Sequence, residues 1–153
     1  MPTTVTPFLW FDDNAEAAIA RYLEVFPDAE MVEENRHSDG SLFIATIRIQ
    51  GQRLTLMNGG PQLRLDDAFS LAVAVDSQGE VDRLCDALIE GGGMQSRCGW
   101  LRDAFGLSWQ IIPELFFRLM NDPDPAKSAR VQQAMLQMTR FDCAALRAAY
   151  DGG

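Results

Sequence analysis

The chain has 153 residues, 47% of them hydrophobic and 23% charged, which suits a globular protein with its own core and excludes a disordered one. Its 22 acidic against 13 basic residues leave a formal charge of -9, which argues against nucleic acid and anionic membrane surfaces as partners, since both are held by clustered Lys and Arg. No apolar run approaches the roughly 20 residues of a bilayer span, and Met1-Pro2-Thr3 does not open a charged-then-apolar export signal, so a cytoplasmic address is expected.

Phe8-Leu9-Trp10-Phe11 reads as an apolar strand that runs through Asp12-Asp13-Asn14 into a helix, where Ala15, Ala18, Ile19, Tyr22, Leu23 and Phe26 form one apolar stripe. Asp13 with Glu16 three residues on predicts a capping box at its start. Glu30 to Asn35, Leu42 to Gln50 and Arg53 to Met57 read as strands, the last two joined in a hairpin at Gln50-Gly51-Gln52, and Asn58-Gly59-Gly60-Pro61 closes the unit.

The pattern then returns. Ala72-Val73-Ala74-Val75 leads through Asp76-Ser77 into a second helix, with Ser77 and Glu80 as a second capping box. Val81, Leu84, Cys85, Leu88 and Ile89 line its inner face, and Gly91-Gly92-Gly93 ends it. Met94 to Arg97, Cys98 to Arg102 and Leu107 to Ile112 follow as strands, the last two turning around Asp103-Ala104-Phe105-Gly106. Both copies therefore read βαβββ. Past Pro113 the periodicity becomes helical over Glu114 to Asn121, Ala126 to Met138 and Asp142 to Tyr150. Asp124-Pro125 supplies a cap and a first-turn proline before the stripe Val131, Ala134, Met135 and Met138, which must be buried, with a second subunit as one candidate cover.

The expected fold is α+β: two βαβββ modules curled around a cavity, 1–61 and 66–113, within one domain spanning 1–153 that ends in a helical extension over 114–153. Strand alternation separates two faces. Pro7, Leu9, Phe11, Leu71, Val73 and Val75 should pack under the helices. The opposite face carries Thr6, Phe8 and Trp10, then Ser70, Ala72 and Ala74, with Thr46 and Arg48 on the third strand and Ser108, Gln110 and Ile112 on the last. Aromatics interleaved with small polar groups suit a largely apolar pocket with a few orienting hydrogen bonds, and equally a filled interior or a solvated face. Trp109 alternates away from Gln110 into the helix-packed core; Trp10 and Trp100 are candidates for ligand contact as well as for packing.

Three cysteines, Cys85, Cys98 and Cys143, are odd in number and widely spaced, fitting neither a disulfide framework nor a zinc site, and read as inert thiols. The single histidine, His37, precedes Ser38-Asp39-Gly40 in an apparent turn, where a solvated ring is expected.

The runs Phe8 to Asp12, Cys98 to Asp103 and Phe105 to Pro113, together with Asn58 to Pro61 and Arg130 to Met135, resemble the PhnB-like branch of the vicinal oxygen chelate superfamily. That branch also bears the label of a demethylubiquinone methyltransferase-like domain and is related to glyoxalases, extradiol dioxygenases and antibiotic-resistance proteins. The resemblance implies paired βαβββ modules in a homodimer. It also implies a divalent metal held by His and Glu from the first and last strands of each module, at positions that fall near Thr6, Leu56, Ser70 and Gln110 here. None of these is an acid or a histidine, so no metal and no other cofactor is expected. A methyl-donor site is not expected either, because Gly91-Gly92-Gly93 follows a helix, whereas donor-binding glycines lie between a strand and the helix it opens.

The leading expectation is a metal-free small-molecule-binding protein with Thr6, Phe8, Trp10, Arg48, Ser70, Trp100 and Gln110 lining its pocket. One alternative is a metal-assisted or acid-base glyoxalase- or dioxygenase-like enzyme using Asp39, Asp103 or Glu33, acids that also suit turns and solvated positions. Another is a dimeric interaction or regulatory module with a vestigial pocket. No residue pattern decides between binding and catalysis.

Overall fold

Strand β1 (Phe8–Phe11), helix α1 (Ala15–Val25) and strands β2 (Glu30–Arg36), β3 (Leu42–Ile49) and β4 (Gln52–Asn58) build one four-stranded sheet in the order β1-β4-β3-β2. Strands β5 (Ser70–Val75), β6 (Met94–Gln95), β7 (Trp100–Arg102) and β8 (Ser108–Pro113), with helix α2 (Gln78–Ile89) after β5, repeat the plan as β5-β8-β7-β6. In both sheets the first strand runs parallel to the last and the other pairs are antiparallel. The duplicated βαβββ order read from the sequence is therefore present, and so is the helical extension: α3 (Glu114–Met120), α4 (Pro125–Leu136) and α5 (Cys143–Asp151). These coordinates are a computed structural model and describe residues 2–153. They form two compact units, one ending at Asp66 and the other running Asp67–Gly153 and including the extension.

Each unit buries a helix stripe against one sheet face. In the first, Ala15, Ala18, Ile19 and Tyr22 of α1 are buried together with Leu9, Phe11, Ala45, Ile47, Leu54 and Leu56. In the second, Val81, Leu84, Cys85 and Leu88 of α2 are buried with Leu101, Trp109 and Ile111. Removing each such large side chain from water contributes about 1.5–3 kcal/mol, which is why the period of the apolar residues dictates the elements. Burial also pushes the Cys85 thiol up to about 11, in keeping with a packing role.

The helix starts depart from one another. Ser77 caps α2 as expected, its hydroxyl accepting from Glu80 N–H at 3.2 Å, while the Glu80 carboxylate turns to Arg83. Asp13 does not cap α1: the N-cap is Asn14, whose side chain makes no capping bond. The first helical amide, at Ala15, instead donates at 2.9 Å to Asn58 Oδ1 at the end of β4. A distant amide thus takes the place of the local carboxylate.

Two strand boundaries are also corrected. The strand expected over Met94 to Arg97 is confined to Met94–Gln95, and that expected over Cys98 to Arg102 begins at Trp100. Cys98 and Gly99 lie in the left-handed region, at φ 56° and 83°, and their N–H groups donate outward, to Met138 O at 2.9 Å and Thr139 O at 2.7 Å. A side chain at position 99 would bring its Cβ within 2.5 Å of the Phe141 ring, so only glycine lets the segment between α4 and α5 lie this close.

That segment anchors the extension. Gln78 of α2 donates to Phe141 O at 2.9 Å and accepts from Cys143 N–H at 2.7 Å, and Arg140 pairs with Asp86 at 2.8 Å and Asp82 at 3.6 Å. Asp124 and Asp142 cap α4 and α5 through their side chains. Val131 of the α4 stripe is fully buried, as are Leu146 and Phe141, and α4 packs against α3 and α5 of its own unit. Of the stripe, Val131 is covered within the chain, while Ala134, Met135 and Met138 stay half-buried.

Candidate functional site: the open faces of the two sheets

The register groups the polar and aromatic candidates. In the second unit Ser70 pairs with Ser108, Ala72 with Gln110, Gln110 with Trp100, Ser108 with Arg102, and Arg102 with Met94, so these residues share the face turned away from α2. Gln110 Nε2 donates to Ser70 Oγ at 2.9 Å. Ser108 Oγ donates to Asp67 Oδ1 at 2.5 Å and Arg102 Nη2 donates to the same oxygen at 2.9 Å. The Ser108 hydroxyl first, and the Arg102 guanidinium after it, hold the Asp67 carboxyl below its ordinary value. Of the predicted residues, Ser70, Trp100 and Gln110 are therefore brought together, with Arg102 and Asp67 as neighbours that alternation alone did not single out.

A cavity of about 500 Å³ opens next to Trp100, lined by Trp100, Met94, Ser96, Arg97, Arg102 and Asp67 among others, while Ser70 and Gln110 lie outside its lining. That volume falls within the roughly 300–1,000 Å³ of small-molecule sites. Trp100 belongs both to the polar row and to the cavity.

In the first unit Phe8 pairs with Thr55, Thr55 with Thr46, Trp10 with Met57, and Arg48 with Arg53 and Glu30, again on one face. Phe8 is 55% exposed, and Thr6, just ahead of β1, is half-buried. Thr46 and Thr55 share a hydrogen bond of 2.8 Å, and Arg48 is held by Glu30. Trp10 is less free than its sequence position suggests. Its Nε1–H donates to Gly60 O at 2.9 Å, and its ring lies so close to Gly59 that a Cβ there would sit 2.5 Å from the indole. The Asn58-Gly59-Gly60 run is thus structural: Asn58 caps α1, while Gly59 and Gly60 donate to Phe11 O and Asp12 O.

The position expected at Leu56 requires correction. Leu56 pairs with Leu9 and Ala45 and is fully buried beneath α1, on the opposite face from Phe8 and Trp10. Thr55, facing Phe8 as Gln110 faces Ala72, is its register counterpart on the open face. A one-residue offset in a strand reverses the face.

The acids considered for catalysis have structural partners or lie in the open. Asp103 is 2% exposed; its Oδ1 accepts from the N–H groups of Phe105 and Leu107 at 2.9 and 3.0 Å, and its Oδ2 from Trp109 Nε1 at 2.9 Å. Asp39 accepts from the amide and hydroxyl of Ser41, and Glu33 is exposed on β2. His37 is exposed against the Phe43 ring. Among the described residues no three His, Cys, Asp or Glu side chains are grouped as metal ligands require. Thr55, Ser70 and Gln110 offer only neutral oxygens, with none of the imidazole, carboxylate or thiolate groups that hold divalent transition metals most firmly. Gly91-Gly92-Gly93 lies between α2 and β6, away from any strand-to-helix turn.

Two four-stranded sheets, each a βαβββ unit with its first strand parallel to its last, define the vicinal oxygen chelate class of proteins. Within that class the chain belongs to the family described as 3-demethylubiquinone-9 3-methyltransferase, whose model matches residues 3–112. It is similar to the solved PhnB protein of Bacillus cereus, with 26% identity and a TM-score of 0.65 over 72% of this chain and 99% of that one. The fold is shared with a fosfomycin resistance protein of Listeria monocytogenes solved with Mn(II) and sulfate, at 19% identity and a TM-score of 0.54 over 72% of this chain and 91% of that one. A glyoxalase/bleomycin resistance protein of Albidiferax ferrireducens matches at 15% identity and a TM-score of 0.50, over 72% and 97% of the two chains. No curated protein matches. No helix among the described residues is long and apolar enough to cross a membrane.

Proposed function

We propose that the chain binds a small molecule, without a metal, on the open face of the second unit's sheet, with Ser70, Trp100 and Gln110 contributing; Thr6, Phe8, Trp10 and Arg48 mark the corresponding open face of the first unit's sheet as a second candidate surface. The observation that carries this reading is the meeting of the neutral Ser70–Gln110 pair with Trp100, beside a cavity of about 500 Å³. An aromatic wall supplies apolar contact, and an amide and hydroxyl supply orientation, which is the usual division of labour in a small-molecule site. Neutral oxygens at the register positions of the family's ligands support a metal-free mode. The three free cysteines support a reducing, cytoplasmic setting.

A panel of neutral, anionic and cationic aromatic compounds, followed by thermal stability and tryptophan fluorescence, tests the proposal. At least one class should raise the melting temperature, since a ligand that binds only the folded state stabilises it, and Trp100→Ala should remove the shift. Purified protein carrying one tightly held transition metal per chain would overturn the metal-free part. The homodimer that the resemblance implies belongs to the same reading, and light scattering on the eluting protein tests it.

A further inference from the structure

The turn between β6 and β7 leaves one cation without a partner. Arg97 is exposed at the lining of the second unit's cavity, and no acid among the described residues lies within ion-pairing distance of it. The other arginine there, Arg102, is engaged by Asp67 at 2.9 Å.

Most backbone donors around the turn are spent, the Arg97 amide excepted. Ser96 N–H donates to Trp100 O at 2.8 Å, Trp100 N–H to Arg97 O at 3.0 Å, and the amides of Cys98 and Gly99 go to Met138 O and Thr139 O. Gln95 is also committed: its Nε2 donates to Trp100 O at 2.9 Å and its Oε1 accepts from Arg140 Nε at 3.3 Å. What remains at the cavity is the Arg97 guanidinium, the Ser96 hydroxyl, the Trp100 ring and Met94, which is 70% exposed. A guanidinium presents paired N–H groups in a plane that matches two oxygens of one anion, and a ring beside a flexible thioether suits a flat apolar body.

Resting on the reading of this cavity as a small-molecule site, we propose that its ligand is a small organic oxyanion on a flat apolar body, with Arg97 taking the charged group and Trp100 and Met94 the body. The net charge of -9 disfavours anions at a distance, but screening over about 8 Å at physiological salt leaves the nearest cation to decide. The turn is also pre-organised. Met138, Thr139 and Arg140, which hold it through the bonds above, lie beyond residue 112 where the family match ends, so the helical extension supports the rim of the site.

The test is calorimetric titration of the full chain with naphthoate and with naphthamide, one ring system carrying either a carboxylate or a neutral amide. Naphthoate should bind at least about ten-fold more tightly, a gain within reach of one charge-assisted bidentate contact. Arg97→Gln should abolish that preference while leaving naphthamide binding unchanged, and Arg97→Lys should retain part of it. Arg97 is exposed, so unchanged melting of both variants checks that the fold is intact. Equal binding of the two compounds, unaffected by Arg97→Gln, overturns the oxyanion inference and leaves small-molecule binding standing. No binding of either compound at millimolar concentration, with no change in Trp100 fluorescence, overturns both.

Discussion

Asn58 Oδ1 receives the amide proton of Ala15, 43 residues earlier in the chain, and thereby caps a helix whose own N-cap side chain makes no such bond. The same side chain donates through Nδ2 to Leu42 O at 3.2 Å, so one amide joins α1, β3 and β4. Asn58→Ala removes both bonds and should destabilise the chain by about 1–3 kcal/mol in urea denaturation. Asn58→Asp keeps the acceptor and puts a negative charge at the positive end of the helix, but loses the donor, and should fall between wild type and alanine. An alanine variant as stable as wild type would show that the bond carries no net stabilisation.

Gly59 should tolerate no side chain while Trp10 is present. A Cβ would lie 2.5 Å from two indole atoms and 2.9 Å from the Met57 methyl group, so Gly59→Ala should cost about 1–3 kcal/mol as an overpacked contact. Combined with Trp10→Phe, which takes away the atoms in the way, the alanine should cost less than it does alone. A double-mutant cycle of denaturation midpoints measures that coupling, and strict additivity would mean the ring moves aside freely.

Asp103 is predicted to be a structural carboxylate. Asp103→Ala leaves the Leu107 amide and the Trp109 indole N–H buried without acceptors, and should destabilise by about 3 kcal/mol or more. Asp103→Asn keeps one oxygen but points an amide donor at one of the former partners, and should cost less. If either variant folded normally yet lost ligand binding selectively, a direct role in the site would replace this assignment.

Asp67 gives a pH signature. Its carboxyl is held below the ordinary value of 3.8 in the folded chain by Ser108 and Arg102, so the folded state binds this proton less readily than the unfolded state does. The stabilisation is therefore complete above 3.8 and fades as pH falls through the lower folded value. Because the group is exposed, the effect on global stability is small, and the better readout is the Asp67 carboxyl-carbon shift in an NMR titration. The midpoint should lie below that of Asp67 itself in the denatured chain, and should rise in Ser108→Ala. A midpoint at the ordinary value would contradict the Ser108–Asp67–Arg102 arrangement.

Much of the fold was legible because its signals are periodic and local. The stripe from Ala15 to Phe26, the alternation in Leu42 to Ile49 and the Ser77 and Asp124 caps each depend on residues a turn or a pleat apart, and each element forms as read. Trp109 could be placed in the core by alternation against Gln110, and it is buried there. The exceptions depend on partners remote in sequence. Asp13 lost the α1 cap to Asn58, and Cys98-Gly99 left its strand because Met138 and Thr139 offer acceptors to its amides. The family ligand position carried to Leu56 was one residue off, an error that spacing cannot detect and cross-strand register reveals at once.

By itself the sequence determined the duplication, the class of each element, the side of most strands that faces a helix and the neutral character of Thr6, Ser70 and Gln110, the positions at which the resemblance implies metal ligands. Those follow from short-range periodicity and residue chemistry. Only the tertiary structure decided that Gln110 meets Ser70, that Trp100 borders a cavity, that Asp103 is spent on Trp109 and its own turn, and that Arg97 lines that cavity with no ion-pair partner among the described residues. Such relationships turn on distances between chain segments, and these are set by packing and register rather than by any local preference of the residues involved.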